Sequence, residues 1–300
     1  MNATTREGQT YGGASRLVRY VNFVKLPHTV FALPFALVGV TLASWIVPVT
    51  AAMVVWVVVA FTAARFAAMG FNRIADRRYD ALNPRTAMRE IPSGAMGVAE
   101  AAASVLVASM VFIFAAWRIN PLCLALSPVA LVWVLFYSYT KRFTRWSHLV
   151  LGLGLGIAPA GGYLAVTGAW SDPWWLLPAL AIAVMSWVGG FDILYSLPDA
   201  EFDRSQGLYS VPATMGTRPA LRVARALHAL TIVALAAAGV ASGSSVLYFA
   251  GVVVAAGILG WEHSLVSSDD LSKLDAAFFS VNGILSVTFF LFVLAERVFL

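Results

Sequence analysis

The sequence predicts an all-α integral membrane protein, about nine transmembrane helices around a central cavity, with the site loops on the cytoplasmic face. Three observations predict it. Of the 300 residues, 60% are hydrophobic and 12% charged. A soluble domain is about a quarter charged, so this chain has too little polar surface to cover itself. The apolar residues come in runs of roughly 20, rich in Ala, Gly, Val and Leu, which is helix-spanning length and not the alternation of a membrane barrel. Finally, the 20 Lys and Arg fall almost entirely at one end of the predicted spans.

The elements follow in order. Residues 1–25 form a polar cytoplasmic segment carrying Arg6, Arg16, Arg19 and Lys25. Residues 26–300 read as a single transmembrane domain. The first apolar run is too long for a signal-peptide core and lacks a cleavage site, so it is a retained span, 27–47. It ends at Val47-Pro48-Val49. The second span, 50–71, returns to the cytoplasm and delivers Arg65, Arg73, Arg77, Arg78, Arg85 and Arg89. Spans 96–117 and 121–139 lead to Lys141, Arg142 and Arg145. Spans 147–168 and 174–195 lead to Arg204, Arg218, Arg222 and Arg225. Spans 221–241 and 244–262 are separated by Gly243-Ser244-Ser245, and Lys273 precedes the ninth, 276–297. Only Arg118 and Arg297 lie opposite, so the loaded side is cytoplasmic by the positive-inside rule. The basic charge therefore reflects topology, and nucleic acid is not an expected partner. The lone Cys123 excludes an internal disulfide.

Two acidic arrays open onto the cytoplasmic side. Asn72, Asp76 and Asp80 are spaced i, i+4, i+8, one face of a helix. Asp192, Tyr195, Asp199 and Asp203 fall at i, i+3, i+7 and i+11, roughly one face if the helix continues. Each array follows an even-numbered span, a hint of two four-helix units facing each other, with the ninth span left over. Carboxylates beside a bilayer core are costly and point to function with a partner. Their hard oxygens suit Mg2+, which uses few protein carboxylates and shares the rest of its octahedron with substrate phosphate. Arg85, Arg89, Lys141 and Arg142 complete the charge balance for a diphosphate held between the arrays. No protein nucleophile is evident, since Cys123 falls near the opposite face and His148, His228 and His263 are scattered. Metal and cations suffice to stabilise a departing diphosphate. With an allylic chain, departure leaves a carbocation for an electron-rich acceptor.

Three motifs carry a family resemblance. The first is Asn72-x3-Asp76-x3-Asp80 followed by Arg85-Thr86-x2-Arg89-x2-Pro92-Ser93-Gly94. The second is Tyr137-x3-Lys141-Arg142-x-Thr144. The third is Asp192-x2-Tyr195-x3-Asp199-x3-Asp203, continued by Gly207, Ser210 and Gly216. In this order they resemble the UbiA superfamily of intramembrane prenyltransferases, over roughly residues 19–220, and most of all its 4-hydroxybenzoate polyprenyltransferase and quinone-pathway branch. The resemblance implies Mg2+-diphosphate binding by Asn72, Asp76, Asp80, Asp199 and Asp203. It implies diphosphate anchoring by Lys141, Arg85 and Arg89, with Tyr137 and Arg142 in the second motif. Asp192 and Tyr195 would sit deeper, toward the reacting carbon. The implied partners are a polyprenyl diphosphate, an aromatic acid acceptor and the lipid bilayer of the inner membrane. One departure is Arg73, where many members carry Asp. Together with the Asn83-Pro84-Arg85 form of the first motif, it looks like the branch linked to menaquinone, whose acceptor is a naphthoate.

Other residues carry two readings each. Arg65 lies seven residues before Asn72, on the same face. It either binds the acceptor's carboxylate or snorkels and pairs with an Asp. Lys25 and His28 could reach the same mouth, though a histidine such as His28 is more often a structural interface residue. Gly152, Gly154, Gly156, Gly161 and Gly162 predict a helix that packs closely or leaves room for a chain. Trp45, Trp117, Trp170, Trp174 and Trp175 form an interfacial belt. Glu262, Asp269, Asp270 and Asp275 flank a cytoplasmic loop as solvated charges or a lid. The competing class is a secondary transporter or ion channel, which calls for ionisable groups near the midplane and access from both sides.

Overall fold

The computed structural model describes residues 15–25, 29–267, 270–271, 274 and 280–300. His28, Asp269, Lys273 and Asp275 lie outside the described residues, as do Arg6 and the side chain of Arg16. Within them the chain is helical: α1 Arg16–Phe23, α2 Thr29–Ala43, α3 Ala51–Ala75, α4 Arg77–Leu82, α5 Val98–Ile119, α6 Pro121–Phe136, α7 Ser147–Thr167, α8 Leu176–Tyr195, α9 Ala200–Ser205, α10 Val211–Met215, α11 Thr217–Ser242, α12 Val246–Leu265 and α13 Asn282–Phe299. Two 3-10 segments, Tyr137–Arg142 and Leu197–Asp199, sit among the loops.

Eight helices are long and apolar enough to cross a membrane, and α2 is a shorter apolar helix where the first span was expected. Each predicted span overlaps one of these helices within the described residues, eight of them of spanning length. Their lipid-side residues, such as Leu106, Val129, Val132, Val233 and Val253, are exposed, as a bilayer solvent requires.

Helix α7 packs against α2 on one side and α8 on the other, α8 packs against α11, and α13 bridges α2 and α12. Close approach of α2 and α7 depends on glycine. A Cβ at Gly162 would run into the Ala36 carbonyl, and one at Gly39 into the Pro159 carbonyl. Gly152 and Gly156 meet the backbone of α8 at Met185 and Ala181 in the same way. With no hydrophobic drive between helices in lipid, such small-residue contacts supply the packing. Gly162→Leu is expected to cost about 1–3 kcal/mol or more by overpacking, read as a lowered unfolding temperature in detergent. Unchanged stability would contradict this packing.

Both acidic arrays depart from the expected geometry. Helix α3 runs one turn beyond the predicted span and stops at Ala75, with Asp76 as its C-cap. Helix α4 restarts at Arg77 and carries Asp80. The bonds Asp76 N–H to Asn72 O (2.9 Å) and Asp80 N–H to Asp76 O (2.8 Å) keep the i, i+4 spacing across the joint. In the second array the helix does not continue. Pro198 offers no N–H to it, α8 ends at Tyr195, and Asp199 lies on the 3-10 turn with Asp203 on α9.

Candidate active site

The C-terminal ends of α3 and α8, the N-terminal half of α7 and the loops after α3, α6 and α8 enclose a polar cavity of about 250 Å3. Its wall includes Lys25, Arg65, Asn72, Asp76, Asp80, Arg85, Arg89, Tyr137, Lys141, Asp192, Tyr195, Asp199 and Asp203. Every residue expected at the site is there except Arg142, which stands behind Asp76 with Nη2 3.4 Å from its Oδ1. Lys25 is held in the left-handed region at φ 47°, uncommon for a residue with a side chain.

Four of the cavity carboxylates are each matched to a cation. Arg89 Nη1 lies 2.6 Å from Asp80 Oδ1, and Arg85 Nη2 lies 2.6 Å from Asp199 Oδ2. Lys141 Nζ is 3.2 Å from Asp203 Oδ2. Arg142 takes Asp76 and also donates to the Ala75 carbonyl at 2.8 Å. Amides assist: Asn72 Nδ2 donates to Asp76 Oδ2 at 2.8 Å and Asn83 Nδ2 to Asp199 Oδ1 at 3.0 Å. Arg85 stacks on the Tyr195 ring, 4.6 Å from its centroid. Burial, and then the neighbouring Asp80 charge, push the Asp76 carboxyl up from 3.8 to about 6.

Loop geometry holds these groups. Ser138 and Thr140 are buried within the 3-10 turn that presents Lys141. Gly207, at φ 67°, turns the chain after α9. Tyr209 N–H then donates to the Lys141 carbonyl at 2.6 Å, and Ser210 caps α10. The second and third motifs are thus tied by backbone.

Two residues carry contacts that the sequence reading did not assign. Asn83 braces Asp199, and its Oδ1 accepts the Arg85 N–H at 2.9 Å. Its signal was its place inside the first motif's basic tail. His148 is not scattered, as expected above, but fully buried with Nδ1 2.7 Å from Asp192 Oδ2. Its signal was its position a few residues after Lys141 and Arg142. Cys123 lies away from the polar cavity, as expected, and lines an apolar chamber.

That chamber, about 480 Å3, lies between α3, α5, α6 and α7. It shares Arg65, Met69, Tyr137, Leu151 and Leu155 with the polar cavity. Arg65 stands at this junction with its buried Nε unpartnered among the described residues.

Among the described residues no three His, Cys, Asp or Glu side chains form a ready-made metal cage. Mg2+ does not need one, because substrate phosphates fill most of its coordination. The donors are carboxylate and amide oxygens, and Asp80 Oδ2 is buried with no hydrogen-bond partner among the described residues. The residues present therefore fit Mg2+ bound together with a diphosphate.

A model of the UbiA prenyltransferase family matches residues 32–292. The 4-hydroxybenzoate octaprenyltransferase of Aromatoleum aromaticum is 31% identical over 228 residues, 75% of each chain. That of Tolumonas auensis is 27% identical over 285 residues, 95% of this chain and 96% of the relative. The apo structure of a UbiA homolog from Aeropyrum pernix K1 matches with a TM-score of 0.81 and 32% identity, covering 90% of this chain and 98% of that one. A UbiA homolog from Archaeoglobus fulgidus bound to DMAPP and Mg2+ shares the fold, with a TM-score of 0.68 and 20% identity over 94% of this chain and 100% of that one.

Proposed function

Because the chain belongs to the UbiA prenyltransferase family, we propose that it moves a polyprenyl group from its diphosphate to a ring carbon of an aromatic acid of the 4-hydroxybenzoate type, in quinone biosynthesis. The reaction would depend on Mg2+ and run at the cytoplasmic face of the inner membrane. One observation carries this reading: a cavity of paired acids and bases continues into an apolar chamber. The polar part suits a diphosphate and the chamber suits its hydrocarbon tail. A transporter calls for ionisable groups near the midplane and access from both sides, whereas these acids and bases gather at one end of the spans.

Asn72, Asp76, Asp80, Asp199 and Asp203 would hold the metal. When bound, Mg2+ supplies positive charge to the diphosphate as it leaves. The chain's own cations do the remainder. Arg85, Arg89, Lys141 and Arg142, now tied to carboxylates, would exchange them for phosphate oxygens. The prenyl C1–O bond breaks, a C–C bond forms at the ring, and the ring carbon loses its proton. Trp187, Val188, Phe191, Leu151 and Leu155 on the wall keep water from the allylic cation.

Arg65 is assigned to the acceptor's carboxylate, because it stands where ring and tail must meet. Arg65→Gln is expected to raise KM for the acceptor roughly 30-fold, about 2 kcal/mol for a charge-assisted hydrogen bond. Affinity for the prenyl diphosphate should be unchanged. An equal loss for both substrates would place Arg65 with the diphosphate instead.

Mass-spectrometric product analysis tests the reading. Purified protein is given geranyl diphosphate, with and without Mg2+, against 4-hydroxybenzoate, 1,4-dihydroxynaphthoate and 1,4-dihydroxy-6-naphthoate. A C-prenylated product that needs Mg2+ supports it, and absence of product with all three acceptors counts against it. The naphthoates are included because Arg73, which replaces the first motif's usual second acid, is buried and lines the cavity. Preference for a naphthoate would assign the menaquinone route.

A further inference from the structure

Asp192 differs from the other cavity carboxylates in what holds it. Asp76, Asp80, Asp199 and Asp203 are each paired with Arg or Lys. The partner of Asp192 is His148, Nδ1 to Oδ2 at 2.7 Å. On the far side of the same buried ring, Nε2 lies 3.3 Å from the amide nitrogen of Val211. A backbone N–H can only donate, so Nε2 accepts. The ring is then the Nδ1–H tautomer and donates to Asp192. Three elements fix this geometry: α7 carries His148, α8 carries Asp192, and Val211 opens α10.

The other Asp192 oxygen takes no hydrogen bond from the described residues. The side chain is 24% exposed and lines the cavity near Tyr137, Phe191 and Tyr195. A carboxylate held by an imidazole N–H is not tied up in an Arg or Lys ion pair, unlike the other four. It is thus a strong acceptor for a hydroxyl brought into the cavity, and drawing on a phenolic hydroxyl enriches the ring that must attack the prenyl carbon.

We propose that His148 is a positioning residue for use of the aromatic acceptor. It holds Asp192 with one oxygen presented to the acceptor's hydroxyl and takes no part in binding the diphosphate. This rests on the prenyl-transfer reading above. Ligand-orienting hydrogen bonds of this kind change activity by roughly 10–100-fold when removed.

The test compares His148→Gln, His148→Asn, Asp192→Asn and the double variant His148→Gln/Asp192→Asn in the full chain. The Asn amide reaches the place of Nδ1 and can still donate to Asp192, whereas the Gln amide reaches the place of Nε2 and cannot. Expected for His148→Gln is a fall of roughly 10–100-fold in kcat/KM for whichever acceptor of the panel the wild type uses. Its Mg2+-dependent affinity for geranyl thiodiphosphate and its unfolding temperature should stay near wild type. His148→Asn should restore most of the loss, and His148→Gln should add nothing to Asp192→Asn. The proposal is overturned if diphosphate affinity falls in parallel, if turnover is unaffected, or if the two losses multiply. Should His148→Gln fail to fold, an Asn variant as poor in acceptor use as Asp192→Asn overturns it equally. Wild-type protein that makes no product with any acceptor removes the underlying reading, an outcome distinct from normal wild-type turnover with an unaffected His148 variant.

Discussion

Asp76→Asn is expected to lower turnover by on the order of 10³-fold while the protein folds as well as before. The amide keeps the shape of the side chain and loses the charge that a hard divalent cation requires. Folding should not suffer, because the ionised carboxylate is no asset to the protein without its ligands. Its folded-state pKa is raised from 3.8 to about 6, so the ionised form is disfavoured in the fold relative to the unfolded chain. That cost begins as pH rises through the unfolded value and is complete above about 6. At neutral pH, in EDTA, the Asn variant should unfold at the same temperature or slightly higher, and any advantage should vanish below pH about 4. Asp199→Asn should lose turnover as fully but also lose stability. Asp199 holds Arg85 at 2.6 Å, with the Arg85 side chain only 8% exposed, and a buried guanidinium without its counter-charge is costly. Turnover near wild type in either variant would remove these residues from the metal site. A drop in stability at Asp76 as large as at Asp199 would mean that both acids serve packing.

The contrast between these two residues shows which layers of the site are legible in a sequence. That Asp76 and Asp199 belong to one site follows from residue type and spacing, because carboxylates beside apolar spans need a common explanation. Span positions followed from hydropathy, since a bilayer sets helix length directly. The helix break at Asp76 and the turn at Pro198 were less visible. Proline signals the second, but nothing local marks Asp76, whose backbone still bonds to Asn72 across the joint. Pairing was not legible at all. Whether Arg85 meets Asp199 or Asp80 depends on how two loops from different helices close over each other. His148 was passed over for the same reason, because its partners, Asp192 and Val211, lie 44 and 63 residues away in sequence. The glycines of α7 invited two readings, close packing or an open channel, and spacing alone could not assign them. The fold divides them: Gly152, Gly156 and Gly162 face neighbouring backbones, whereas a Cβ at Gly161 meets nothing within 4 Å.

That division gives the second large effect. Gly161→Phe is expected to exclude long prenyl diphosphates while sparing short ones. The chamber is walled by small residues of α3, Ala60, Ala64 and Ala68, facing Gly154, Ala158 and Gly161 of α7. Leu151 and Leu155 mark the neck it shares with the polar cavity. Gly161 stands six residues beyond Leu155, about 9 Å farther along the helix axis. The Cβ of a side chain there meets nothing within 4 Å, and the position lines the chamber, so the fold should tolerate a benzyl group that occupies it. A tail that must pass that level would be blocked by contact, and steric rejection discriminates more sharply than any loss of attraction. For a long polyprenyl diphosphate kcat/KM should fall on the order of 10²-fold, with geranyl diphosphate remaining within about threefold. Gly257→Phe is the control. Its Cβ also meets nothing within 4 Å, but it lies on the exposed side of α12 and should leave chain-length preference unchanged. Equal losses for short and long donors at Gly161 would mean that the tail takes another route. A shift in preference confined to Gly161 would place the tail in the chamber, with Arg65 between it and the diphosphate site.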